Sequence, residues 1–122
     1  MNKYRDKSDF EINKAVAVNI NGADAVVEKF GILYINDEDR SAMVSFAPCN
    51  NPYDAMPIII ENKISLYAPR LNEDWMAEYA GGTEGVNDGF QVDYFDAHNQ
   101  NPLRAAMEVF LMMKDAENET NT

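Results

Sequence analysis

At 122 residues, 46% of them hydrophobic, the chain is long enough to bury a sizeable core as one domain without a metal or disulfide staple, and Cys49 is its only cysteine, so no intrachain disulfide can form. The net charge of −11 is unevenly spread: residues 1 to 14 hold four bases against three acids, the rest six against eighteen, and between Leu71 and Leu103 seven acids face no Lys or Arg. Such a surface repels phosphate, so direct nucleic-acid binding is not expected; the acids either solubilise the chain or dock onto a basic partner.

The N-terminus is charged and has no apolar stretch behind it, so it does not read as a signal peptide, and the lone cysteine suits the cytoplasm. Ser8-Asp9-Phe10-Glu11 has the form of a capping box, and Ile12, Ala15 and Val16 recur at helical spacing, which predicts a helix over residues 9 to 20, stopped by Asn21-Gly22. Residues 25 to 30 and 32 to 35 are rich in β-branched and aromatic side chains and read as extended, interrupted at Gly31. A polar turn over residues 36 to 41 and an alternating stretch over 42 to 46 predict a hairpin. Asn51-Pro52 is a helix start, with Asn as the cap and Pro at the first helical position, and the helix is kinked or delayed by Pro57; Ile58-Ile59-Ile60 alone reads equally as a buried strand, which periodicity does not decide.

Residues 64 to 68 alternate as a strand before Pro69, and Trp75, Ala77 and Tyr79 alternate with Met76 and Glu78, which favours strand over a helical turn. Residues 81 to 89, with four glycines, read as a flexible connection, residues 90 to 94 as a last strand, and residues 97 to 100 as a lead into a final helix. That helix, over 101 to 116, repeats the Asn-Pro start. It is apolar nearly all round, with Arg104 and Glu108 as a narrow polar strip, and it is too short and too interrupted to cross a bilayer, which takes about 20 apolar residues. It reads as a central core helix; a face for a second copy or a partner is the other use of so much apolar surface. The expected architecture is α+β: three helices packed with one antiparallel sheet of four or five strands, in a sandwich-like single domain with frayed ends near residues 1 to 7 and 115 to 122.

Several blocks carry a family resemblance: Ser8-Asp9-Phe10-Glu11-Ile12-Asn13 with Ala15-Val16-Ala17; Cys49-Asn50-Asn51-Pro52 with Asp54-Ala55, Pro57-Ile58-Ile59, Glu61-Asn62 and Ile64; Trp75 with Ala77; and Asn101-Pro102-Leu103-Arg104-Ala105-Ala106-Met107 with Val109-Phe110-Leu111-Met112. In these blocks the chain resembles the NinX-like accessory proteins encoded by lambdoid bacteriophages and their prophages. The resembling blocks leave out residues 21 to 47 and 78 to 98. A more distant likeness to phage domains described as α/β/α sandwiches supports helix over 52 to 62. The resemblance implies a protein of the bacterial host cytoplasm, with a host or phage protein as partner, and it brings no catalytic or binding residue to carry over.

Two constellations stand out. Asn50, Asn51, Asn101 and Arg104, with Trp75, bring two helix starts, whose free N–H groups attract anions, together with a cation. They are the candidate binding residues for an anion or a peptide carboxylate, against the plainer reading of two caps and a core tryptophan. Asp93, Asp96 and His98 have metal-ligand residue types at close spacing, but solvated acids at a strand end with one exposed histidine are the default. Neither set completes a catalytic machinery or a cofactor motif. The expected protein is therefore a non-enzymatic binding module, monomer or homodimer; a small enzyme built on either constellation is the alternative.

Overall fold

The computed structural model describes residues 2–37, 42–81 and 94–120. Helix α1, Asp9–Asn21, begins on the capping box: the Glu11 N–H donates to Ser8 Oγ at 3.1 Å and the Ser8 N–H to Glu11 Oε1 at 2.9 Å. That second bond holds the Glu11 carboxyl below its ordinary range. Ile12, Asn13, Val16 and Ala17 form its buried stripe, and at Gly22, with φ +86°, the N–H closes onto the Val18 carbonyl.

A short 3₁₀ turn, Ala23–Ala25, leads into β1 (Val26–Lys29), β2 (Ile32–Asp37) and β3 (Ala42–Ser45), an antiparallel sheet in the order β1-β2-β3. The β2–β3 hairpin is the one expected from the alternation, although residues 38 to 41 of its turn lie outside the described residues. The interruption at Gly31 between the two extended stretches is the turn of a β1–β2 hairpin. Lys29 pairs with Ile32, leaving Phe30-Gly31 as a two-residue turn with φ +54° and +77°, positive at both positions as a type I′ turn requires.

Helix α2, Pro52–Glu61, is capped by Asn51, whose side chain accepts from the Tyr53 N–H at 3.0 Å. It starts at once and runs unbroken through Pro57, which lies on its exposed side. Strands β4 (Ser65–Tyr67), β5 (Trp75–Ala80) and β6 (Tyr94–Asn99) form a second antiparallel sheet in the order β4-β5-β6. Trp75 is therefore in a strand, paired with Asn99. Residues 97 to 99, expected as a lead-in, belong to β6, and of the strand expected over 90 to 94 only Tyr94 lies within the described residues.

The fold is α+β with three helices, but the single sheet of four or five strands is replaced by two sheets of three. The reason is helix α3, Pro102–Thr120. One side packs on β4, β5 and β6, and the other on α1 and α2, while α1 packs on β1 and β2. The sheets thus lie outside and the helices between them. Ala105, Ala106, Met107, Val109, Phe110 and Leu111 are all buried, and buried alanines at Ala77 and Ala97 let the sheet approach α3 closely. A helix with apolar residues on every side is stable only between two layers, and this one is.

The ends also differ from expectation. Tyr4 is buried, its hydroxyl donating to Asp115, and α3 continues to Thr120. Met107, fully enclosed at the centre of α3, sets the scale of the core: Met107→Ala is expected to cost about 2–5 kcal/mol in urea denaturation, and Met112→Ala, at a half-buried position, clearly less.

Candidate functional site

Arg104 projects from the first turn of α3 into the interior and is only 5% exposed, so the cation expected beside the two helix starts faces inward. A buried guanidinium must be paired, and this one is paired throughout. Its Nε donates to Glu108 Oε2 at 2.6 Å, Nη1 to Asp9 Oδ1 at 2.7 Å, and Nη2 to the carbonyls of Tyr4 at 2.9 Å and Lys7 at 2.7 Å. Burial works against its charge, but the hydrogen bonds it donates to Asp9 and Glu108 prevail and raise its pKa. Glu108, 1% exposed, receives the Asn2 side-chain amide on its other oxygen at 2.6 Å.

The network continues outward. The second oxygen of Asp9 accepts from Asn50 Nδ2 at 3.2 Å. Buried Asn13 accepts the Cys49 N–H at 2.8 Å, and Asn101 Nδ2 donates to the Cys49 carbonyl at 2.6 Å. Asn101 also caps its own helix, accepting from the Leu103 N–H at 2.9 Å. The structure therefore brings Asn50, Asn101 and Arg104 together, as the sequence suggested, and adds Asp9, Asn13 and Glu108, which it did not. The i, i+4 spacing of Arg104 and Glu108 was the available signal for one of these; nothing local announced Asp9 or Asn13.

Chemically, this arrangement directs the guanidinium at internal carboxylates and carbonyls, and each Asn-Pro start at its own asparagine oxygen. Cys49 lies within it, fully buried, and burial with the nearby Asp9 carboxylate pushes its thiol up to about 12, far from thiolate chemistry. Asn51 is exposed and borders a different feature, a cleft of about 650 Å³ between α2 and β2–β3, floored by Phe46, Ile58 and Phe110. Trp75 is half-buried at the start of β5, beside Asn99, whose side chain accepts the Asn101 N–H at 2.9 Å.

Of the second constellation, Asp93 lies outside the described residues, while Asp96 and His98 stand two apart on β6 with Nε2 3.4 Å from Oδ2, both substantially exposed. Among the described residues no group of three His, Cys, Asp or Glu side chains is placed to hold a metal ion. The same outward face of the β4–β6 sheet carries a group that sequence reading missed. Glu78, on β5, accepts from the Tyr67 hydroxyl at 3.1 Å and from the Tyr94 hydroxyl at 3.0 Å, one on each oxygen, with Asp96 next to it across the sheet. The bond to Glu78 raises the pKa of the Tyr94 hydroxyl. Only the register of three strands, which no local signal supplies, brings these residues together.

The family model described as bacteriophage P22 NinX matches residues 3–114, nearly the whole chain. The chain belongs to the NinX family. The match spans residues 21 to 47 and 78 to 98 as well as the blocks that carry the resemblance in the sequence. No curated protein and no solved structure matched the chain.

Two outcomes test the network in this NinX family member. Arg104→Ala, which strands Glu108 without a cation, is expected to cost about 3–5 kcal/mol in chemical denaturation, and Arg104→Lys to recover little of it, since one ammonium cannot span two carboxylates and two carbonyls. Cys49 is expected to resist a thiol reagent at neutral pH in the folded protein and to react at the rate of unfolding when denaturant is added.

Proposed function

We propose that this NinX family member is a phage accessory protein that acts by binding, taking a basic segment of a host or phage protein on the outer face of the β4–β6 sheet. The observation that carries this reading is the Tyr67–Glu78–Tyr94 group with Asp96 beside Glu78 across the sheet. Glu78, Tyr94 and Asp96 come from the stretch with no Lys or Arg between Leu71 and Leu103, and Arg70 and Arg5 border the face near Tyr67 and Asp96. Carboxylates pair with guanidinium or ammonium groups, and aromatic rings accept a cation over their faces, so the group suits an Arg or Lys side chain. Because Tyr67, Tyr94 and the Glu78 contacts are exposed, the attraction acts through solvent, steering the encounter more than it tightens the complex.

The small-enzyme alternative has less support. Its Asp96–His98 pair is exposed on a sheet face, and the donors of Arg104 are engaged within the fold. Membrane attachment through a spanning helix has none among the described residues, where no helix is long and apolar enough to cross a bilayer.

Affinity capture from phage-infected host cells, using the wild type and a Glu78→Lys/Asp96→Lys double variant, tests the reading. The wild type is expected to retain a protein that the variant loses, with retention falling as salt rises; the same protein held equally by both, or none held by either, would sink it.

A further inference from the structure

The tip of the β1–β2 hairpin is built at a cost. Phe30 occupies the first position of a turn that needs φ > 0 at both central residues, where Asn or Gly fits without strain and a bulky L-residue does not. Phe30 is 93% exposed, so no packing among the described residues offsets that strain. A bulky apolar side chain, held in an unfavourable conformation at the end of a rigid two-stranded arm, has the form of a knob.

The matching hole is the cleft between α2 and β2–β3. Its volume of about 650 Å³ is ample for a ring, its floor of Phe46, Ile58 and Phe110 is apolar, and Asp54 and Glu61 stand among its walls. The C-terminal ends of α1 and α2 also border it, through Ile20 and Glu61, and neither last turn contains a basic residue, so the mouth lies at the negative ends of two helices. Among the described residues the cation lining it is Lys114, which lies over the Phe110 ring and faces Glu117. The cleft therefore suits an apolar side chain with a positive neighbour. Phe30 has one in Lys29.

We infer that the protein forms a closed two-fold dimer in which the Phe30 tip of each copy enters the α2/β2–β3 cleft of the other. Two chains of charge −11 repel, so association has to occur where a cation of one meets an acidic rim of the other, and Lys29 against Glu61 is such a place. Knob and hole belong to the same strand: β2 begins at Ile32, next to the turn, and reaches the cleft wall at Ile35, about 10 Å along. A two-fold axis between the arms makes both contacts at once and leaves none open. This interface uses the sheet opposite the Tyr67–Glu78–Tyr94 face and is independent of any partner bound there.

Sedimentation equilibrium of the full chain tests the inference, with Leu71→Asn as the control, since Leu71 is a second apolar tip, 90% exposed beside Arg70. The wild type is expected to show a monomer–dimer equilibrium. Phe30→Asn, which creates the favoured Asn-Gly turn, should weaken the dimer at least about tenfold while the thermal midpoint of the monomer holds or rises. Leu71→Asn should leave the dimer unchanged, and Lys29→Glu should weaken it and regain affinity when combined with Glu61→Lys. A wild type that stays monomeric at every concentration, open species larger than a dimer, a Phe30→Asn variant that dimerises like the wild type, or a dimer lost with Leu71→Asn would each overturn it.

Discussion

A single buried cation ties the structure together. The Arg104 guanidinium is nearly enclosed, and its donors collect the buried Glu108 carboxylate, the half-buried Asp9 carboxylate and the backbone carbonyls of Tyr4 and Lys7. Each partner belongs to a different part of the chain: Glu108 to α3, Asp9 to the start of α1, and the carbonyls to residues 4 to 7. Asp9 then passes the connection to Asn50, and Cys49 is gripped from both sides by Asn13 and Asn101. The turn ahead of α2 is fixed in this way, and with it the wall of the cleft that α2 forms.

The layer order has its own functional meaning. Helices usually cover sheets; here the sheets cover the helices, and each presents one face outward. One outer face carries carboxylates and tyrosines, the other ends in an aromatic tip beside an apolar cleft. A small fold thus offers two surfaces of opposite chemistry, set apart by α1 and α3, with no need for a second domain.

How much of this could be read in the sequence depended on the range of the interactions. The capping box at Ser8, both Asn-Pro helix starts, the β2–β3 hairpin and the alternation at Trp75 are local patterns, and all four appear in the structure. The all-round apolar character of α3 announced a core helix but not its neighbours. Strand alternation does not state which strands pair, so two sheets of three read as one larger sheet. The Phe30-Gly31 turn was obscured because aromatic residues favour strands and seldom occupy a left-handed position. Arg104 and Glu108 read only as a narrow polar strip because their further partners, Asp9 for the guanidinium and the Asn2 amide for the carboxylate, are contributed from the other end of the chain. Asn50 and Asn101 share a network with Arg104, and the structure engages all three with the fold itself.

The grip of α3 on the N-terminal segment also bears on how the chain is made. Tyr4 and Arg104 meet across 100 positions of sequence, and Tyr4 and Asp115 across 111. During synthesis the first residues and α1 emerge long before the helix that holds them, and until it arrives Asp9 lacks its guanidinium and the apolar side of α1 lacks a cover. Local elements such as the two hairpins can form early, but the interior closes only when α3 packs between the β4–β6 sheet and helices α1 and α2. Ribosome-bound chains that stop short of α3 would on these grounds be incomplete as a whole rather than folded up to their last residue, and the waiting α1 and the first sheet are the segments that a chaperone would meet.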